Sequence, residues 1–222
     1  MKSFESFLGI DVADKTFAAA IYTVDQQMHI RDGFENSIQG FEYLCSWMKA
    51  HQLSSKEILI CIEATGVYSE GLCYYLHQQK YHPWLESPDK VKHAFKIKGH
   101  KTDAVDAAQI AEYAYRYQDR CRLWEPKTAV IEQLNTLLSA RELLIQQRTA
   151  TQNALKAYQR KNVKTALVIN GFQEMINVFT EQIQHMEKRI LALINQDPNY
   201  RQIYHILKSI PGIALLTAAN VI

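Results

Sequence analysis

The stretch that decides the fold is residues 6–36, SFLGIDVADKTFAAAIYTVDQQMHIRDGFEN. It contains two apolar runs, at residues 7–12 and 16–24, and after a polar DQQ turn a weakly alternating segment at residues 28–35. Short apolar runs separated by turn residues are typical of strands that pair through tight connections. The stretch therefore predicts a meander of up to three strands.

After the meander, helical and strand patterns alternate. The predicted elements are a helix at residues 37–52 with Ser37 as its N-cap, a buried strand at 57–66, a helix at 67–80, a short strand and Pro turn at 81–90, and a helix at 102–117. The order β-β-β-α-β-α-β-α predicts a mixed sheet with flanking helices, the ribonuclease-H-like α/β fold, over residues 1–125.

The pattern changes beyond this domain. Residues 129–161 contain no Gly or Pro, and their apolar residues recur at steps of three and four. A turn is expected around Asn170 and Gly171, followed by a second amphipathic helix at residues 173–196. Two such helices predict a helical hairpin or coiled-coil-like arm over residues 126–203. Because an isolated pair cannot cover both apolar stripes, we expect a homodimer or a higher homo-oligomer.

The last segment, residues 204–222, predicts two short helices joined by a turn at residues 210–213. Its final apolar helix has no evident partner in the sequence. We therefore expect it to be the start of a further, truncated domain.

Composition narrows the class of protein. The chain has 222 residues, 47% of them hydrophobic and 22% charged, which suits a soluble globular protein. No apolar run is long enough for a membrane span, and the first residues do not resemble a signal peptide. The four cysteines are scattered, so we expect neither a disulfide framework nor a zinc site. A cytoplasmic location is expected instead.

Four carboxylates occupy positions that suggest a metal site. Asp11 and Glu63 each end an apolar strand, and Asp103 and Asp106 open a helix with a spacing that puts both on one face. If the strands are neighbours and the helix crosses their ends, the four converge. Crowded carboxylates favour a hard cation such as Mg²⁺, and two ions about 3.5–4 Å apart can clamp a phosphodiester. The alternative is that they are strand-end caps and helix-dipole acids.

Basic residues cluster in two places. Five lysines lie within residues 90–101, and residues 120–164 contain nine Lys or Arg against three acids. Clustered positive charge predicts nucleic-acid binding, although a solvated helix face remains the alternative. The candidate nucleic-acid contacts are Lys92, Lys96, Lys98, Lys101, Arg141, Arg148, Lys156, Arg160, Lys161 and Lys164.

Four motifs together resemble a known family. They are FLGIDVADKTFAAAIY (7–22), CIEATGVYSEGLCYYL (61–76), KVKHAFKIKGHKTDAVDAAQIAEYA (90–114) and LKSIPGIALLTAANVI (207–222). The chain resembles the DEDD-type insertion-sequence transposases, which are related to the Piv/MooV DNA invertases. The block at residues 99–114 is the most specific of the matches.

The resemblance implies a function and a set of partners. It implies a RuvC-like domain whose acidic tetrad, Asp11, Glu63, Asp103 and Asp106, binds Mg²⁺, with Mn²⁺ as a substitute. It also implies DNA as substrate, a guide RNA in some members, and the bacterial cytoplasm. The family's nucleophilic serine lies in a C-terminal domain, and no serine here matches it, so we expect binding of metal and nucleic acid without full activity. The alternatives are a stand-alone junction resolvase and a non-catalytic RNA-binding dimerisation module.

Overall fold

The computed structural model describes residues 4–95 and 102–222. The chain divides into two compact units, Met1–Pro126 and Lys127–Ile222. Each unit has its own hydrophobic core, as described below. The predicted boundaries at residues 1–125, 126–203 and 204–222 remain predictions.

The first unit is a five-stranded sheet with helices on both faces. Its elements are β1 (Ser6–Val12), β2 (Thr16–Thr23), β3 (Met28–Glu35), α1 (Ile38–Ala50), β4 (Ile58–Glu63), a 3₁₀ turn (Gly66–Ser69), α2 (Glu70–Gln78), β5 (Pro83–Glu86), α3 (Pro88–Ala94), α4 (Asp103–Arg116) and a second 3₁₀ turn (Gln118–Arg120).

The strand order is β3-β2-β1-β4-β5. Strands β1, β2 and β3 form an antiparallel meander, and β4 and β5 run parallel to β1. This is the ribonuclease-H-like topology, so the predicted fold class is confirmed. One element differs: the segment predicted as a Pro turn after β5 contains the short helix α3, because Pro88 suits the first turn of a helix, where its missing N–H needs no partner.

Alternating residues of the central strands supply the cores on the two faces. Leu8 of β1 packs in the core that includes Leu44 of α1 and Leu72 of α2. Its neighbour Phe7 packs on the opposite face with Ile110 of α4. The period of two along a strand separates the two sets, so α1 and α2 cover one face of the sheet and α4 covers the other.

Gly9 sets the distance between β1 and α4. A Cβ atom on this residue would lie 2.1 Å from the backbone nitrogen of Ala111 and 2.3 Å from the carbonyl oxygen of Ala107. The helix backbone therefore lies directly on the strand at a position that only glycine allows. Ala18 and Ala20 of β2 extend this surface of small residues.

The second unit is built on a helical hairpin. Its helices are α5 (Ala129–Gln159), α6 (Ala166–Gln196), α7 (Pro198–Lys208) and α8 (Leu215–Val221). The predicted turn around Asn170 and Gly171, with a helix beginning at residue 173, is wrong, because α6 begins at Ala166 and runs through both residues. A single glycine costs a helix only about 1 kcal/mol, so the connection falls at residues 160–165 instead.

The last two helices close the core of this unit. Tyr204 of α7 and Ala218 and Ala219 of α8 are buried with Leu134 of α5 and Ile190 of α6. The expectation that the final apolar helix lacks a packing partner is therefore wrong. The predicted turn at residues 210–213 is confirmed, and Gly212 provides the positive φ of 89° that it needs. Within the described ranges, no helix is long and apolar enough to cross a lipid bilayer.

Candidate catalytic site

Two of the four candidate acids lie side by side at one edge of the sheet. Ile10 of β1 pairs with Ile62 of β4 in the parallel ladder, so Asp11 and Glu63 follow at the same level of the sheet. Both side chains are half-buried. Carboxyl ends of parallel neighbours meet at one edge, and this is the arrangement that the sequence predicted for Asp11 and Glu63.

The other two acids come from the first turn of α4. The contact of Gly9 with Ala107 and Ala111 lies just C-terminal to Asp103 and Asp106 on the helix, so the start of α4 is held over the end of β1. Thr102 caps the helix: its Oγ1 accepts a hydrogen bond from Val105 N–H at 3.3 Å. Acids in a first turn are favoured by the helix dipole.

Asp11 interacts electrostatically with the other three acids. Burial raises the pKa of Asp11 from 3.8 to about 6, with further contributions from the carboxylates of Glu63, Asp106 and Asp103, in that order, while Lys92 lowers it. Like charges disfavour ionisation of a neighbouring carboxyl group. Asp11 therefore lies within electrostatic range of the three other acids and of Lys92 on α3.

The four carboxylates are not arranged as a cluster of metal ligands. Across residues 4–95 and 102–222, no group of three or more His, Cys, Asp or Glu side chains is already spaced to hold a metal ion. The donor chemistry nevertheless fits a hard divalent cation, which prefers carboxylate oxygens and would offset the repulsion that raises the pKa of Asp11.

The predicted nucleic-acid contacts fall into three groups. Lys96, Lys98 and Lys101 lie outside the described residues, whereas Lys92 is exposed on α3. Arg141 forms an ion pair with Glu187 across the hairpin at 2.7 Å, and Arg148 has a buried Nε that finds no hydrogen-bond partner among the described residues. The exposed basic residues near the end of α5 and just beyond it are Lys156, Arg160, Lys161 and Lys164.

Glu86 is a buried acid that the sequence analysis missed. It ends β5, pairs with Glu63 in the ladder, and is only 6% exposed. Its Oε1 accepts the Ser87 N–H at 2.8 Å and lies 3.0 Å from Lys90 Nζ, and its Oε2 accepts the Tyr113 hydroxyl at 3.2 Å. These partners make it an anchor between β5, α3 and α4. The sequence feature that could have indicated Glu86 is an acid at the end of a third apolar strand.

Asn36 is a second residue that the sequence analysis missed. Its side-chain amide donates to the carbonyl oxygens of Ala13 and Tyr68, both at 3.0 Å, and lies 3.5 Å from that of Asp14. One amide therefore ties the loop after Asp11 to the 3₁₀ turn that follows Glu63. Nothing in the sequence marks this contact, because its partners are main-chain atoms far apart along the chain.

The loop after Glu63 contains an unpartnered hydroxyl group. Thr65 Oγ1 is buried and has no hydrogen-bond partner among the described residues. The next residue, Gly66, has a φ of 67°, which favours glycine. This turn directs the chain from β4 into the 3₁₀ segment and α2.

These features define a ribonuclease-H-like domain with acidic residues at one edge of its sheet. The model of a family described as transposase, the DEDD, IS110 type, matches residues 8–160. This is more than half of the sequence, so the chain belongs to the DEDD transposases of this family, which are enzymes of DNA transposition and recombination.

Curated relatives agree with this assignment. The chain is 29% identical over 224 residues to proteins named pilin gene-inverting protein from Moraxella lacunata and from Moraxella bovis. Each alignment covers 98% of this chain and 65% of the relative, so the chain spans slightly less than two thirds of their length. The RuvC structure of Thermus thermophilus aligns with 54% of this chain and 99% of its own, at 11% identity and a TM-score of 0.36.

Proposed function

We propose that this chain is the catalytic and nucleic-acid-binding part of a DNA transposase or site-specific recombinase that cleaves and transfers phosphodiester bonds in a Mg²⁺-dependent reaction. The single observation that carries the proposal is the placement of Asp11 and Glu63 side by side at the ends of β1 and β4, with the first turn of α4 held over the end of β1. Perturbed pKa values cluster at functional sites, and the raised pKa of Asp11 agrees with such a site.

Asp11, Glu63, Asp103 and Asp106 are the proposed ligands of two Mg²⁺ ions, for which Mn²⁺ can substitute. When bound, such ions polarise a phosphoryl oxygen and lower the pKa of a coordinated water. The chain's own contribution is placement. The β1–β4 ladder fixes Asp11 beside Glu63, and the contact of α4 with Gly9 fixes the two aspartates of the helix.

The proposed substrate is DNA, with a guide RNA as a second partner in the bacterial cytoplasm. Lys92 is exposed beside the acids and suits a phosphate contact, and we assign the same role to Lys96, Lys98 and Lys101. On the hairpin, no acid occurs between Glu142 and Glu174. The basic residues in that interval suit contact with RNA or DNA, and they are Arg148, Lys156, Arg160, Lys161 and Lys164. Arg141, which is paired with Glu187, is the weakest of these candidates.

The hairpin is also the proposed site of self-association, as a coiled-coil-like arm. Several of its apolar side chains remain exposed, among them Leu143 of α5 and Met175 and Val178 of α6. Apolar surface along two long helices favours burial against a second copy. We propose a homodimer or a higher homo-oligomer on this basis.

The direct test is a Mn²⁺ and Mg²⁺ titration of the whole chain by calorimetry, comparing wild type with Asp11→Asn and Asp106→Asn. We expect each substitution to weaken metal binding at least about tenfold, the size typical of a lost ligand or its support. Asp25→Asn is the control, because Asp25 lies exposed in the β2–β3 turn, at the opposite end of β1 from Asp11. Unchanged affinity in both variants would overturn the metal site.

The same variants separate the alternatives. Nicking of branched DNA by this chain that needs Asp11 and Asp106 would favour a stand-alone junction resolvase. Salt-sensitive RNA binding that survives both substitutions, without metal binding, would favour a non-catalytic RNA-binding module.

A further inference from the structure

A polar cavity of about 610 Å³ lies at the outer edge of the sheet, beside β5. Its walls include Trp84 and Glu86 of β5, Lys90 of α3, and Arg120 and Arg122 of the segment that follows α4.

The cavity has a rigid frame. Leu123 forms an antiparallel bridge with Trp84, and Trp124 N–H donates to the Pro83 carbonyl oxygen at 2.7 Å. The segment that holds Arg120 and Arg122 is thereby attached to the sheet edge. Trp124 is fixed in turn by edge-to-face contact with Tyr74, with ring centroids 5.0 Å apart.

The positive charge of the cavity is only partly compensated. Lys90 is matched to Glu86, which also accepts hydrogen bonds from Tyr113 and Ser87. Arg120 lies 3.9 Å from Asp119, and both side chains are mostly exposed, so the interaction is weak. In the part of the chain that the structure describes, none of the ion pairs involves Arg122.

The cavity is also next to the acidic edge, which is the edge of the sheet where Asp11 and Glu63 end β1 and β4. Glu86 on its wall pairs with Glu63 across the β4–β5 ladder, and neighbouring strands lie about 5 Å apart. A DNA strand presents one phosphate per about 3.4 Å of helix axis. A DNA strand with one phosphate group at the acidic edge therefore has a neighbouring phosphate group within reach of the cavity.

We infer that this cavity binds a backbone phosphate of the nucleic-acid strand that is processed at the acidic edge, with Arg120 and Arg122 as its contacts. The guanidinium group suits this role, because its planar set of donors matches two phosphate oxygens. The inference rests on the proposed function, and it adds a substrate contact distinct from the lysines and the arm considered above.

The test is binding of a fluorescent single-stranded DNA to the whole chain over a series of salt concentrations, in EDTA. We expect Arg120→Gln/Arg122→Gln to weaken binding about tenfold at low salt. We also expect the slope of log affinity against log salt to fall by about 1.4, which is two contacts at about 0.7 each for a single strand. Lys49→Gln/Lys56→Gln is the matched control, because it removes the same charge from exposed positions elsewhere on this unit.

Other outcomes would overturn the inference in distinguishable ways. Equal slopes for the arginine and lysine pairs would reject the cavity as a contact and leave the metal-site proposal standing, since EDTA removes metal from this assay. No DNA binding by wild type would overturn the cavity and the DNA-binding part of the proposed function together. Binding of inorganic phosphate that is lost in Arg120→Gln/Arg122→Gln, with DNA binding unchanged in that variant, would make the cavity a site for free phosphate instead.

Discussion

The Tyr113 hydroxyl donates a hydrogen bond to Glu86 Oε2 at 3.2 Å, joining the last turn of α4 to the last residue of β5 within the core. Burial and the neighbouring Glu86 carboxylate raise the pKa of Tyr113 to about 12. The hydroxyl therefore remains a donor throughout the neutral range.

Tyr113→Phe should lower the free energy of unfolding by about 1–3 kcal/mol, because it leaves a buried carboxylate with one partner fewer. The measurement is urea unfolding followed by circular dichroism. Tyr68→Phe, at an exposed position, is the control and should change stability by less than about 0.5 kcal/mol. Equal effects of the two substitutions would mean that the Glu86 contact contributes nothing to stability.

Gly9→Ala should destabilise the first unit severely, by about 3 kcal/mol or more. Overpacking alone costs about 1–3 kcal/mol, and here the added Cβ meets backbone atoms of α4 at 2.1 Å and 2.3 Å, which cannot rotate away. The loss should appear as a lower melting temperature and a smaller yield of folded protein.

Gly71→Ala is the matched control for this substitution. Gly71 lies in α2, and its added Cβ would make only an ordinary contact of 3.8 Å with Phe41. Alanine favours helix over glycine by up to about 1 kcal/mol, so this variant should be as stable as wild type or more so. A Gly9→Ala protein with unchanged stability would contradict the close approach of α4 to β1.

Asp11→Asn should make the metal-free chain more stable above pH 6. The pKa of Asp11 is raised in the folded protein, so the native state binds more protons than the unfolded state between about pH 4 and pH 6. Stability is then lost as the pH rises through that interval. The full shift corresponds to about 3 kcal/mol. Because the side chain is half-exposed, solvent screening should reduce the gain to about 1 kcal/mol.

The measurement is urea unfolding of both proteins in EDTA at pH 4 and pH 7.5. The free energy of unfolding should be higher for Asp11→Asn than for wild type at pH 7.5, and the two proteins should be equally stable at pH 4. A difference that is the same at both values would exclude an electrostatic origin, and Asp25→Asn again provides the control.

Asn36→Asp should loosen the connection between the two loops that follow Asp11 and Glu63. The substitution keeps the shape of the side chain but replaces its donating amide with a carboxylate facing carbonyl oxygens. We expect a loss of about 1–3 kcal/mol in unfolding free energy and weaker Mn²⁺ binding. Gln27→Glu makes the same chemical change in the exposed β2–β3 turn. If both variants bind Mn²⁺ like wild type, Asn36 has a purely structural role.

Much of the first unit could be predicted from the sequence, because its signals are local. Residues 6–36 contain complete strands and turns, and Ser37 and Thr102 are N-caps whose side chains accept from Gly40 and Val105 N–H. Acids that end two apolar strands lie at one sheet edge once those strands pair in parallel, so the approach of Asp11 to Glu63 followed from the fold class alone.

The features that could not be predicted depend mainly on contacts between residues far apart in the sequence. The roles of Glu86 and Asn36 come from partners that only the folded chain brings near, and neither residue belongs to a motif. The start of α6 was misplaced because Gly171 resembled a break. The structure places nothing within 4 Å of a Cβ at that position, so the glycine marks no close contact there.

The dependence of α4 on Gly9 has a consequence for biosynthesis. The acidic edge combines side chains from β1 and β4 with two from α4, and α4 is held in place by its contact with Gly9 of β1. During translation, β1 and β4 leave the ribosome well before α4. A nascent chain that has not yet released α4 therefore holds only half of the acids, and the acidic edge is complete only once α4 has emerged.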